Sequence, residues 1–219
     1  MAGGEENGRL TSGGRDMNIL VLGMDGVGKT ALIVRYITKR YIGDYDPYSE
    51  AMYTSNSVID GKPVTLRVID TVGLEKNSKR SEQITWADGF VLVFSLTCRK
   101  SFEAVKRIKE HINELRQDTK IPMILVGNKA DLSHARAVNP VETRGLATDL
   151  QCPMFETSAS DNYGSVVNAF HALYREVRTV LKQREKVKKV MQKPGISKKL
   201  QIANALRNLR EFRIRTYTV

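Results

Sequence analysis

Eight consecutive residues, Gly23-Met24-Asp25-Gly26-Val27-Gly28-Lys29-Thr30, form the most specific chemical pattern in the chain. Glycines at this spacing let the backbone curl until successive N–H groups face one point, and a helix starting after them adds positive potential there. Such a loop binds phosphate. The lysine, Lys29, is spaced to reach the β- and γ-phosphates of a nucleoside triphosphate, and the Thr30 hydroxyl is placed for Mg²⁺. A second cluster, Asn128-Lys129-Ala130-Asp131, addresses a base. The Asp131 carboxylate can accept both N–H groups on the guanine edge, Asn128 offers an amide to the ring, and the Lys129 stem can lie along its plane. Each motif alone has a plainer explanation, as a Gly-rich turn or a polar loop. Their succession in one chain favours a guanine nucleotide.

The elements around them fit that use. Met17–Leu22 is a continuous apolar run, like a strand buried on both faces, and it leads directly into the glycine loop. A helical pattern of Ala31, Leu32, Val34, Tyr36 and Ile37 follows. Residues 52–59 and 63–70 flank Asp60-Gly61, a favoured hairpin turn pair. Phe90–Leu96 and Ile121–Gly127 predict further strands. Phe102, Val105, Ile108, Ile112 and Leu115 recur at helical spacing between them. Pro140–Leu150 predicts a short helix, Met154–Thr157 a short last strand, and Val166, Ala169, Phe170, Leu173 and Val177 a long helix running toward the C-terminus. Strands alternating with helices imply an α/β fold, a mainly parallel sheet with helices on both faces.

Composition separates the chain into parts. Of 35 Lys+Arg and 24 Asp+Glu in 219 residues, the whole excess of +11 falls after Phe170, where 14 Lys and Arg meet three Glu. The expected organisation is a flexible tail over 1–16, a nucleotide-binding domain over 17–181 and a basic extension over 182–219. No apolar run approaches the roughly 18–20 residues that cross a bilayer, the start lacks a signal-peptide pattern, and two cysteines make no disulfide framework. An intracellular, cytoplasmic protein is expected, not a secreted one. Cys98 and Cys152 read as packing residues, and His111, His134 and His171 have no metal-ligand spacing.

In the order and spacing of these motifs, across roughly residues 17–180, the sequence resembles the Ras-like small GTPases. Glu156-Thr157-Ser158-Ala159 after the last strand adds to the match, and TKRYIGDYDP, WADGFVLVFSL and ILVGNKADLSHAR make it similar to the group of RERG and Ras-like proteins 11 and 12. The resemblance implies the small G-protein fold of P-loop NTPases, with six strands and five helices. It implies GTP and GDP as ligands with Mg²⁺, and signalling through effector and regulatory proteins. It assigns the phosphates to Gly23, Asp25, Gly26, Val27, Gly28, Lys29, Thr30 and Ala31, and the base to Asn128, Lys129, Asp131 and Leu132, supported by Ser158 and Ala159. Tyr41 falls where the family places a ring against guanine. Asp70-Thr71-Val72-Gly73 matches the second switch, in which Asp70 holds Mg²⁺ through water and the Gly73 amide senses the γ-phosphate.

Three departures surround that γ-phosphate. Leu74 stands where hydrolytic members usually have a water-orienting Gln, and it has neither donor nor acceptor. Asp25 adds a carboxylate where Ras has Gly. Tyr48 replaces a Thr whose hydroxyl reaches Mg²⁺, with Ser49 one residue on. The catalytic set is thus reduced to Lys29 and Gly73, and the expectation is a GTPase of slow or impaired hydrolysis, or a non-hydrolysing guanine-nucleotide-binding interaction module.

Cysteine is absent after Cys152, so a C-terminal prenyl anchor is not expected. Residues 182–219 carry basic clusters either side of Pro194-Gly195. Beyond it, Leu200, Ala203, Leu206, Leu209 and Phe212 recur every three residues, as on an amphipathic basic helix. An anionic membrane surface, a nuclear partner, and a solvated tail that folds only on a partner all remain open for this segment. A monomer is expected.

Overall fold

The computed structural model describes residues 16–43, 49–116, 118 and 120–191. Six strands, β1 (Met17–Leu22), β2 (Ala51–Ile59), β3 (Lys62–Asp70), β4 (Gly89–Ser95), β5 (Met123–Asn128) and β6 (Met154–Glu156), form one sheet in the order β2-β3-β1-β4-β5-β6. Every pairing is parallel except β2 with β3. That hairpin turns at Asp60 and Gly61, whose φ angles of 52° and 72° are the two positive values that a tight two-residue turn requires.

The five helices are α1 (Lys29–Thr38), α2 (Ser78–Trp86), α3 (Arg99–Leu115), α4 (Pro140–Leu150) and α5 (Tyr163–Met191). Side-chain alternation along β1 sorts them into two layers. Ile19 and Val21 pack with Leu32 and Ile33 of α1 and Phe170 and Leu173 of α5, while Leu20 and Leu22 pack with Ile84 of α2 and Val105, Ile108 and Ile112 of α3. Tyr36 stacks on Phe170 with ring centroids 4.5 Å apart, fixing α1 against α5. Covered on both faces, β4 and β5 are buried throughout, which is why their sequences read as unbroken apolar runs. Edge strand β2 is covered on one face only and alternates half-buried with exposed residues.

Helix ends follow local chemistry. Asn139 caps α4 in a reciprocal capping box with Glu142, Pro140 occupies its first turn, and Asn77 caps α2 by accepting from the Arg80 amide. At its far end α5 runs past residue 181, where Arg184 donates to the Lys120 carbonyl and pairs with Asp118. Strand order reverses beside β1, since the chain leaves it for β3 on one side and β4 on the other. In open α/β sheets that reversal leaves a crevice at the carboxyl ends of the strands.

Candidate functional site

A cleft of about 530 Å³ occupies that crevice, and five loops border it. The first, between β1 and α1, is the glycine loop. Gly26 and Gly28 hold φ angles of 76° and 94°, which residues with a Cβ rarely adopt. Gly23 is needed for another reason: a Cβ there would lie 2.2 Å from the Val93 carbonyl oxygen of β4. Gly28 precedes α1 without a capping side chain, so the first-turn N–H groups of the helix stay available to an anion.

Lys29 is buried at 6% exposure, and its ammonium donates to the carbonyls of Gly23 and Met24 at 3.0 Å each. Burial lowers its pKa, against the attraction of Asp25 and Asp70. A buried cation bound chiefly by neutral carbonyls is a strong site for a further anion. Beside it, the Thr30 hydroxyl donates to Asp70 Oδ2, while Asp70 Oδ1 is buried without a hydrogen-bond partner. Burial pushes the Asp70 carboxyl up from its ordinary value. An orphaned carboxylate oxygen beside a hydroxyl is a hard-oxygen pair of the kind Mg²⁺ takes, and the ion would restore the charged form. Among the described residues no three His, Cys, Asp or Glu side chains form a metal cage. Mg²⁺ commonly completes its shell with phosphate oxygens and water, so the pair fits it.

The other side of the cleft is built from the loops after β5 and β6. Lys129, Asp131, Leu132 and Ala159 line the cleft, opposite Tyr41 and Ala31 from the α1 side. Lys129 sits at φ 66°, turning the chain sharply so that the Ala130 amide bonds to the Thr157 carbonyl at 3.0 Å. Asn128 does more than the sequence indicates. Its Nδ2 donates to the Val27 carbonyl at 3.0 Å and its Oδ1 accepts from Thr157 Oγ1 at 3.2 Å, both bonds buried. One amide therefore ties the glycine loop to the loops after β5 and β6. Ser158 is also buried, accepting from the Asp161 amide and bonding Ser160 Oγ, and it is Ser160 that lines the cleft.

The remaining residues fall as follows. Gly23, Val27 and Ser158 stand behind the cleft wall and shape it, whereas Asp25, Gly26, Gly28, Lys29, Thr30, Asp70 and Asn128 line it directly. The Gly73 amide donates to Asp25 Oδ1 at 2.9 Å. Leu74 borders a separate hollow between α2 and α3, with Arg80, Ile84 and Ile108, rather than the main cleft. Ser49 lines the cleft, as do Thr71 and Val72 of the Asp70–Gly73 motif, and Gly43, which the sequence did not single out. Tyr48, and the amphipathic pattern beyond residue 191, lie outside the described residues.

A buried arginine was also missed. Arg80 of α2 donates to the Val72 carbonyl at 2.8 Å, to Glu50 Oε1 at 3.1 Å and to Gln83 Oε1 at 2.9 Å. Glu50 also pairs with Lys79. Burial alone would raise the Glu50 pKa, but Lys79 and Arg80 outweigh it and hold the carboxyl below its ordinary value. Nothing in the spacing of these residues marks them, because the network joins chain segments about thirty residues apart.

The profile of the Ras family matches residues 18–179. Ras-like protein family member 11B of Mus musculus is 44% identical over 173 residues, which are 76% of this chain and 70% of that protein. The Ras-related and estrogen-regulated growth inhibitor of Homo sapiens is 42% identical over 163 residues, 74% of this chain and 82% of its own length.

Proposed function

We propose a function for this chain, which belongs to the Ras family of small GTPases: it binds GTP and GDP with Mg²⁺ in the cleft, hydrolyses GTP slowly, and acts in signalling through partner proteins. The carrying observation is that Lys29, Asp70 and Asp131, far apart in sequence, border one cleft. In this reading the loop N–H groups and Lys29 hold the phosphates, Thr30 and Asp70 hold Mg²⁺, and Asp131 selects guanine. Lys129 and Tyr41 border the base, and Asn128, Ser158 and Ala159 set the loops that receive it. Mg²⁺, when bound, neutralises charge on the phosphates.

Slow turnover rests on Leu74 and Asp25. Without an amide at position 74 nothing there orients water, a loss of about 10²–10³ in rate by analogy with deletion of one positioned polar group. A side chain at position 25 crowds the approach of an arginine finger, worth about 10³–10⁵ where it operates. Calorimetry on folded, nucleotide-stripped protein tests binding: GTP and GDP should give Mg²⁺-dependent heats and ATP none. Equal affinity for ATP, or no heat from either guanine nucleotide, overturns the site. A single-turnover assay tests the rate, and fast hydrolysis refutes it.

A second reading has its own observation. The loop after β3 is held by Asp25 and by the Glu50–Arg80 network, contacts internal to the protein. A non-hydrolysing interaction module would be built this way. Pulldowns from GTP-analogue and GDP forms separate the two, since identical partner sets favour the module.

A further inference from the structure

Resting on the nucleotide reading of the cleft, we propose that the Asp25 carboxylate is a built-in stand-in for a γ-phosphate, one that disfavours triphosphate relative to diphosphate and holds the loop after β3 without it. Asp25 Oδ1 accepts the Gly73 N–H at 2.9 Å and lies 3.6 Å from Lys29 Nζ. These are the two kinds of donor that a terminal phosphate uses in this class of site: the loop lysine, and the backbone of a switch segment ordered by the γ-phosphate. A carboxylate and a phosphate oxygen are equivalent to such donors, both being anionic acceptors of short, charge-assisted hydrogen bonds.

The carboxylate belongs to the protein, so it is present whichever nucleotide is bound. Gly73 meets it at φ +64°, a conformation suited to glycine, with space around its Cα. The two preceding residues are tied independently. Thr71 Oγ1 donates to the Val21 carbonyl of β1 at 2.7 Å, and Arg80 donates to the Val72 carbonyl. Asp25 thus completes a row of three anchors over residues 71–73, and it is the anchor that reaches into the cleft.

A triphosphate and Asp25 compete for the same donors, and two anions at that separation repel. GTP must displace the carboxylate from Gly73 and weaken its pairing with Lys29. GDP also draws on Lys29 through its β-phosphate, but it leaves the Gly73 contact in place. The chain therefore favours GDP relative to a variant lacking the charge, and its loop keeps one position in the free and GDP-bound protein. Asp25 is here a specificity-determining residue.

The test measures, for wild type, Asp25→Asn and Asp25→Ala, the ratio of affinities for GDP and a non-hydrolysable GTP analogue by calorimetry with Mg²⁺. Amide hydrogen exchange over residues 71–77 is followed in the nucleotide-free and GDP forms. Removing the charge should move the ratio about tenfold toward the triphosphate, the weight of one charge-assisted hydrogen bond. Asp25→Ala should also speed exchange at Gly73 about tenfold in both forms, and Asn, which keeps a neutral acceptor, should fall between. Normal nucleotide binding with a ratio unchanged within twofold in both variants overturns the inference and leaves the cleft reading intact, as does unchanged exchange at Gly73. Wild-type protein that binds neither nucleotide overturns both.

Discussion

Replacing Asn128 by alanine should unfold the site from behind rather than merely weaken its grip on a base. The side chain is 2% exposed and makes two buried hydrogen bonds, to the Val27 carbonyl and from the Thr157 hydroxyl. Truncation orphans both partners in an interior where Val27 and Thr157 are each 1% exposed. Each orphaned group costs about 1–3 kcal/mol, so Asn128→Ala should lose roughly 2–6 kcal/mol. At about 2–4 °C per kcal/mol for a domain of this size, Tm should fall by roughly 4–24 °C. Asn128→Asp should lose as much or more, because an acceptor oxygen then faces the Val27 carbonyl. The assay is urea unfolding of nucleotide-free protein followed by the single tryptophan, Trp86, so that ligand linkage does not enter. Thr157→Val supplies the control. In the Asn128→Ala background its hydroxyl is already unpaired, so the double variant should fall short of the sum of the singles by about 1 kcal/mol. A single-variant loss below about 1 kcal/mol, or full additivity, refutes the role of Asn128 as the link between the loops.

Three further outcomes are expected. Asp70→Asn should raise the Tm of the nucleotide-free protein at neutral pH while abolishing Mg²⁺-dependent nucleotide retention: burial holds the folded carboxyl above its unfolded value, so stability falls as pH rises from that unfolded value through the folded one, and Asn removes this loss; a lower Tm at pH 7 would contradict it. Gly23→Ala should cost more stability than Gly26→Ala in chemical denaturation, because the first drives a Cβ against a fixed β4 carbonyl and the second meets open space and carries only the strain of φ 76°, about 1–2 kcal/mol. Burial pushes the Cys152 thiol up to about 12, so iodoacetamide at pH 8 should leave it unmodified in folded protein and label it after denaturation, as mass spectrometry would read.

The sequence was most readable where one physical demand acts locally. Strands β4 and β5 are buried on both faces, and unbroken apolar runs announced them to within two residues. Asp60-Gly61 marked the hairpin because few other pairs accept two positive φ angles. Helix α2 left no such mark. Its residues Ser78–Trp86 have no apolar stripe, and beside Ile84 its buried residue is Arg80, a cation whose burial is made tolerable by Glu50 and the Val72 carbonyl together with Gln83 of its own helix. The charged partner, Glu50, and the Val72 carbonyl come from other segments, so the charge balance that allows the helix lies outside its own window of sequence.

The same distinction runs through the cleft. Residue types proposed to meet a ligand can be read from sequence, because the chemistry of phosphate and guanine would restrict them to lysine, glycine, hydroxyl and carboxylate. Bonds between the loops are not, because Asn128 finds Val27 across 101 residues and Asp25 finds Gly73 across 48. These contacts decide different things. The Asn128 bonds are buried, and losing them costs folding stability. The Asp25 bond is exposed, so its breaking costs the fold little and leaves the loop after β3 responsive to whatever anion takes Gly73. A chain with both has a rigid rear wall, set when it folds, and, on the proposed reading, a front edge whose position is settled by competition between its own carboxylate and a phosphate.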